Sequence, residues 1–196
     1  MTEEPEPRKV VQLDARSLRG LAHPLRMRLL SSLRINGPAT ASQLAARLGE
    51  SSGSTSYHLR QLAEYGFIED DPEHGKGRER WWRSAHQGTR FDDELSRDPD
   101  PAVRGAAQLY LHAVASRYSQ ELTTWVGTKD EWPDEWTESA DMSDAMLRLT
   151  PALTAELRDK LHQVIEAYRP LEKDKDDPQA ALVRVQTQLF PTHSTD

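Results

Sequence analysis

The 196 residues contain no cysteine, which excludes disulfides, thiolate metal sites and a Cys nucleophile. No apolar run approaches the roughly 20 residues needed to cross a bilayer, so no membrane partner is expected. Met1 to Val11 carries three Glu and two Pro and has no apolar core. That stretch lacks the features of a signal peptide and leaves the cytoplasm as the expected location. The H-E-x-x-H and G-x-x-x-x-G-K-[ST] patterns are absent as well, so neither a zinc protease helix nor a phosphate loop is present. Nothing here points to an enzyme, a catalytic residue or a cofactor. Only 36% of residues are hydrophobic and 7% aromatic, which fits a soluble chain with one large domain or two small ones.

The net charge of −7 is unevenly spread. Residues 1–90 hold 14 Lys and Arg against 11 Asp and Glu; residues 91–196 hold 11 against 21. Local charge, not the total, decides whether a surface can meet phosphate, and the first half is the basic one.

That half carries a dense series of helix signals. Val10–Leu13 is a short extended piece. Asp14 can cap a helix bearing Leu18 and Leu21. His23-Pro24 breaks it, and Pro24 suits the first turn of a second helix with Leu25, Leu29, Leu30 and Leu33 on one face. Asn36-Gly37-Pro38 ends it. Thr40 and Gln43 form a capping-box pattern before Leu44, Ala45 and Leu48, and Gly49 closes that helix. Ser51 caps the next, which buries Thr55, Leu59 and Leu62 and ends at Gly66 in the left-handed cap position. Phe67-Ile68-Glu69 begins a strand, Gly75-Lys76-Gly77-Arg78 makes a hairpin tip, and Arg80 to Arg83 returns.

Three short helices followed by a basic hairpin place one helix in a DNA major groove and the hairpin beside it. With Thr55, Leu59 and Leu62 facing inward, Gly53, Ser56, Tyr57 and Arg60 face outward, and Ser52 and Ser54 lie near the helix start. Arg can grip guanine bidentately, and Ser suits bases or phosphates. At the tip, Lys76 and Arg78 supply charge while the glycines allow close approach to the duplex. The partner these residues imply is double-stranded DNA.

Leu21-Ala22-His23-Pro24-Leu25-Arg26 and the segment Ser51–Leu59 resemble the two motifs of ArsR-type winged helix repressors, L-x-H-P-x-R and S-x-P-T-V-S-x-H-L. The resemblance covers about residues 14–86. It implies a homodimer that binds operator DNA and releases it when a ligand binds elsewhere. It also implies recognition by Ser52, Ser54, Ser56, Tyr57 and Arg60, with wing contacts from Lys76 and Arg78. Glu50 stands where the family usually has an apolar residue, and Gly53 where it has proline; both bear on the start of the recognition helix.

Beyond residue 90 the character changes. Gln87–Pro101 is polar and acidic. A long helix is expected from about Pro101 to Val126, with Val103, Ala107, Tyr110, Val114, Tyr118, Leu122 and Trp125 in one stripe. Gly127–Ala140 is expected as an acidic loop, Ala145–Leu149 as a strand, residues 151–169 as a helix and Ala181–Phe190 as a second strand. Tyr110, Tyr118 and Trp125 are candidates for a dimer face or for the wall of a pocket taking a small organic effector; ordinary core packing is the competing role.

The expected fold is mainly α with a small β wing. It comprises a winged helix-turn-helix at residues 14–90 and a helical dimerisation or effector region at 101–190 with one or two strands. Two other functions stand beside the repressor. One is a metal-responsive repressor with His and carboxylate ligands, for which His162 and Glu166 share a helix face and His112 could contribute. The other is a protein-interaction module that kept the winged helix without binding DNA.

Overall fold

The computed structural model describes residues 9–74, 79–173 and 177–193. The chain divides into two compact units, with the boundary between Thr124 and Trp125.

In the first unit, local sequence sets the helix ends. Asp14 and Ser17 form a reciprocal capping box (2.7 and 2.9 Å) that starts α1, Ala15–Leu21. His23 caps α2, Pro24–Asn36, with Pro24 in the first turn. Thr40 and Gln43 form a second capping box (3.3 and 2.9 Å) for α3, Ala41–Leu48. Ser51 accepts from the Ser54 N–H at 3.2 Å and opens α4, Ser52–Glu64. Gly49 and Gly66 have φ of 69° and 76°, the left-handed conformation that glycine adopts without a Cβ penalty and that lets the chain reverse after a helix.

Strands β1, Val10–Gln12, β2, Ala39–Thr40, β3, Ile68–Asp70, β4, Trp81–Ser84, and β5, Gly88–Arg90, complete this unit. The wing is an antiparallel sheet in the order β2-β4-β3, with Ala39 opposite Trp82 and Asp70 also opposite Trp82. A separate parallel pair joins β1 to β5, with Val11 opposite Thr89. The β5 strand lies within the polar, acidic stretch Gln87–Pro101, for which the sequence suggested no strand. It was hidden because Gly88-Thr89-Arg90 has one β-branched residue and pairs with a segment far away in sequence.

One core unites these elements. Leu18, Leu29, Leu44, Leu59, Leu62 and Phe67 are almost fully buried, and Trp82 closes the wing over them. Full burial of each such side chain contributes about 1.5–3 kcal/mol relative to exposure. Helix α5, Pro101–Thr128, adds Val103, Ala107 and Tyr110 to the same core. The expected stripe on α5 is therefore buried only in its first three members; Leu122 is 43% exposed.

The second unit contains α6, Asp134–Ser139, and α7, Pro151–Tyr168, the latter capped by Thr150. The loop expected at 127–140 instead holds the end of α5, a 3-10 turn at Lys129–Glu131 and α6. The strands expected at 145–149 and 181–190 do not form. A strand needs a neighbour to take its N–H and C=O groups, and among the described residues no ladder includes either segment. Apolar alternation at Val183 and Val185 leaves these side chains 63% and 59% exposed. The fold is thus mainly helical with a small wing, a winged helix-turn-helix followed by further helices.

Candidate nucleic-acid interface

Helix α4 is seated through Thr55, Leu59 and Leu62, each with 0% exposure. That seat turns the opposite side outward. Ser52, Gly53, Tyr57 and Arg60 are exposed, and Ser54 and Ser56 are half-buried. The five side chains expected from sequence on this helix therefore share its outer and N-terminal surface. Arg60 Nε donates to the Ser56 carbonyl on its own helix at 3.2 Å. Lys76 and Arg78 of the hairpin tip lie outside the described residues.

The turn between α3 and α4 is braced. Arg28 donates to Glu50 at 3.0 Å and to the Leu48 carbonyl at 2.7 Å. Glu50, the departure from the ArsR pattern, thus serves as an ion-pair partner of α2. Gly53 sits within the helix with open space where a Cβ would stand, so a larger residue would fit there without a clash.

A groove of about 320 Å³ runs between α4 and the wing, lined by Ser42, Ser56, Arg60, Glu79, Arg80 and Trp82 among others. Ser42 Oγ donates to Glu79 at 2.8 Å. Arg80 donates to both carboxylate oxygens of Asp70 and lies over the Trp82 ring at 4.0 Å. The Asp70 hydrogen bond raises the Arg80 pKa and lowers that of Asp70. Sequence reasoning missed Arg80 and Ser42. The available signal for Arg80 was strand alternation, since it shares a face with Trp82 two residues on.

The base of the wing is pinned by a buried carboxylate. Asp71 is 4% exposed, accepts from the Glu73 N–H at 3.0 Å and contacts His74 Nδ1 at 3.0 Å. The His74 ring stacks on Trp81, with centroids 5.2 Å apart. Burial alone would raise the Asp71 pKa, but the His74 contact and backbone N–H groups of Glu73 and His74 outweigh it and hold the carboxyl below its ordinary value.

The aromatic candidates on α5 occupy different settings. Tyr110 is 8% exposed and stacks on Phe91, centroids 5.4 Å apart. Burial raises its pKa first, aided by Tyr118 and opposed by Arg117 and Arg34. Tyr118 lies under the Arg117 guanidinium at 5.3 Å, and Trp125 under Lys129 Nζ at 5.7 Å. Among the described residues, no group of three His, Asp or Glu side chains is arranged to hold a metal. Glu166 is engaged by Arg169 at 2.5 Å. No helix among the described residues is long and apolar enough to cross a membrane.

Residues 21–71 match a family model described as a helix-turn-helix domain. No curated protein matches the chain. Among solved structures, the transcriptional repressor BigR from Xylella fastidiosa is 22% identical over 52% of this chain and 84% of its own, with a TM-score of 0.32. ZitR of Lactococcus lactis, as a mutant in apo form, is 16% identical over 77% of this chain and 86% of its own, with a TM-score of 0.31. The transcriptional regulator Tm0710 from Thermotoga maritima is 11% identical over 81% and 90%, with a TM-score of 0.31. At these scores the likenesses carry no weight for function.

Proposed function

We propose that this protein is a sequence-specific DNA-binding transcriptional regulator of ArsR type, acting as a homodimeric repressor that a small effector releases. The observation carrying this reading is the seat of α4. Three fully buried residues fix the helix and leave Ser52, Ser56, Tyr57 and Arg60 on its outward side beside the wing. Small hydroxyls at the helix start, where free N–H groups favour a phosphate, and an Arg one to two turns on suit a major-groove reader. Ser54 belongs to the same surface, and Lys76 and Arg78 are the proposed wing contacts. Residues 14–90 are the proposed DNA-binding domain and residues 101–190 the dimerisation or effector region.

Dimerisation has a physical motive. One recognition helix reads few base pairs, and two related half-sites one helical turn apart multiply affinity and specificity. The test is fluorescence anisotropy on the DNA upstream of the protein's own gene, against scrambled DNA, across a salt series. Sequence-preferring binding with a steep salt slope that weakens by about 1–3 kcal/mol in Arg60→Ala supports the reading. Equal weak binding to both DNAs, or no binding at low salt, counts against it.

A further inference from the structure

We propose that the contact between His23 and His58 is a proton-sensitive latch that ties α4 to the start of α2, so that acidification loosens the seat of α4. Its consequence for DNA rests on the reading of α4 as the DNA-facing helix.

The two rings face each other with centroids 4.3 Å apart and planes 34° apart. They join two helices at a defined point. His23 is the N-cap of α2, and its Nδ1 accepts from the Leu25 N–H at 3.2 Å. That bond needs a lone pair, so Nδ1 must be unprotonated. A second proton would turn the acceptor into a donor aimed at the positive end of the helix. The cap would be lost and a like charge placed beside the exposed N–H groups.

His58 sits on the α4 side of the contact. Its Nδ1 is buried and has no hydrogen-bond partner. Protonation there would place a buried N–H without an acceptor, a costly outcome in a shielded site. Charged and titratable groups around the pair mostly oppose a further positive charge. Arg26 of α2 lies beside both rings, donates to the Arg19 carbonyl at 3.1 Å, and has a buried Nε without a partner. Tyr57 presents its ring edge-on to His58 at 5.1 Å. Glu50 alone favours a charged His58, and it is already paired with Arg28 at 3.0 Å. Burial first, then Arg26, lowers the His23 pKa; burial, then His23 and Arg26, lowers that of His58, against Glu50.

The sign follows. Histidines held neutral in the fold contribute fully above the ordinary value of about 6.5. The contribution falls as pH drops below that value and levels off below the lowered folded values. Each unit of lowering weakens the folding equilibrium about tenfold.

The test uses the full chain. Urea unfolding is followed by tryptophan fluorescence at pH 7.5 and pH 5.0 for the wild type, His58→Gln and His23→Asn. Asn keeps an N-cap acceptor without titrating, so His23→Asn remains informative if His58→Gln folds poorly. The expected result is a loss of stability on acidification that both variants reduce; parallel losses in all three overturn the latch. An NMR titration of the histidine ring protons in the wild type provides the second readout. Both resonances are expected to titrate below the ordinary value, and titration at or above it overturns the proposal. DNA affinity at the two pH values should fall more in the wild type than in His23→Asn. Absence of DNA binding at both pH values would overturn the functional reading, while the unfolding and NMR arms still decide the latch.

Discussion

Arg80 and Trp82 stand two residues apart at the entry to β4, and the Arg80 guanidinium lies 4.0 Å above the Trp82 ring. Both oxygens of Asp70 hold the same guanidinium. This places a cation of fixed orientation in the groove between α4 and the wing. The pair with Asp70 is more than half exposed on each side, so it contributes less than about 1 kcal/mol to stability. The stacked position contributes about another 0.5–1 kcal/mol. The energetics favour a role in positioning a charge over a role in holding the wing together.

Arg80→Ala is therefore expected to shift the melting temperature by only a few degrees and to weaken DNA binding across all sequences alike. The salt slope of binding should fall by about 0.9, the value of one lost phosphate contact. Anisotropy titrations at several salt concentrations measure both quantities. An unchanged slope would remove Arg80 from the interface.

Asp71 offers a pH test of the wing. Its carboxyl is held below the ordinary value by the His74 contact and backbone N–H groups, which overcome burial. The stabilisation is present above the ordinary Asp value of about 3.9 and is lost as pH falls through the lower folded value. Acid unfolding of the wild type below about pH 4 should steepen relative to Asp71→Asn, which cannot titrate. Circular dichroism between pH 2 and 5 reads the difference, and superimposable curves would show that the wing base does not depend on this charge.

The parts legible in the sequence were the local ones. Asp14, Thr40 and Ser51 announce helix starts through their own side chains, Pro24 through its missing N–H, and Gly49 and Gly66 through a backbone conformation few residues adopt. All act within a turn of where they stand, and all sit where expected. The outward surface of α4 followed from three buried positions at helical spacing. What escaped depends on distant pairing. The β1–β5 ladder joins the two ends of the winged helix, and Arg80 reaches Asp70 only because Asp70 lies opposite Trp82 in the sheet. The His23–His58 contact likewise needs α4 packed on α2. The segments at 145–149 and 181–190 failed in the reverse direction: they have strand patterns, but among the described residues no ladder includes them.

Leu59 tests the seat of α4 directly. It has 0% exposure and belongs to the main core. Leu59→Ala removes buried methyl groups and leaves a cavity, a change that costs about 2–5 kcal/mol. The urea midpoint should drop accordingly. At temperatures where the variant is still folded, DNA binding should weaken too, because the surface of Ser56, Tyr57 and Arg60 depends on that seat. A loss of stability under about 1 kcal/mol would mean that α4 is held elsewhere.

Gly20 marks the close approach of α1 to the end of α4. A Cβ built there would meet the Tyr65 side chain, lying 2.6 Å from Cδ2 and 2.7 Å from Cβ. Helix propensity favours Gly20→Ala by about 1 kcal/mol. Overpacking opposes it by about 1–3 kcal/mol, and the contact is with the near end of a ring that cannot swing aside easily, so the steric cost wins. Gly20→Ala should therefore melt below the wild type. In a Tyr65→Ala background, where the ring is gone, the same substitution should become neutral or stabilising. Thermal unfolding of the four proteins in this cycle measures the coupling. An equal effect of Gly20→Ala in both backgrounds would show that the two helices do not meet at Tyr65.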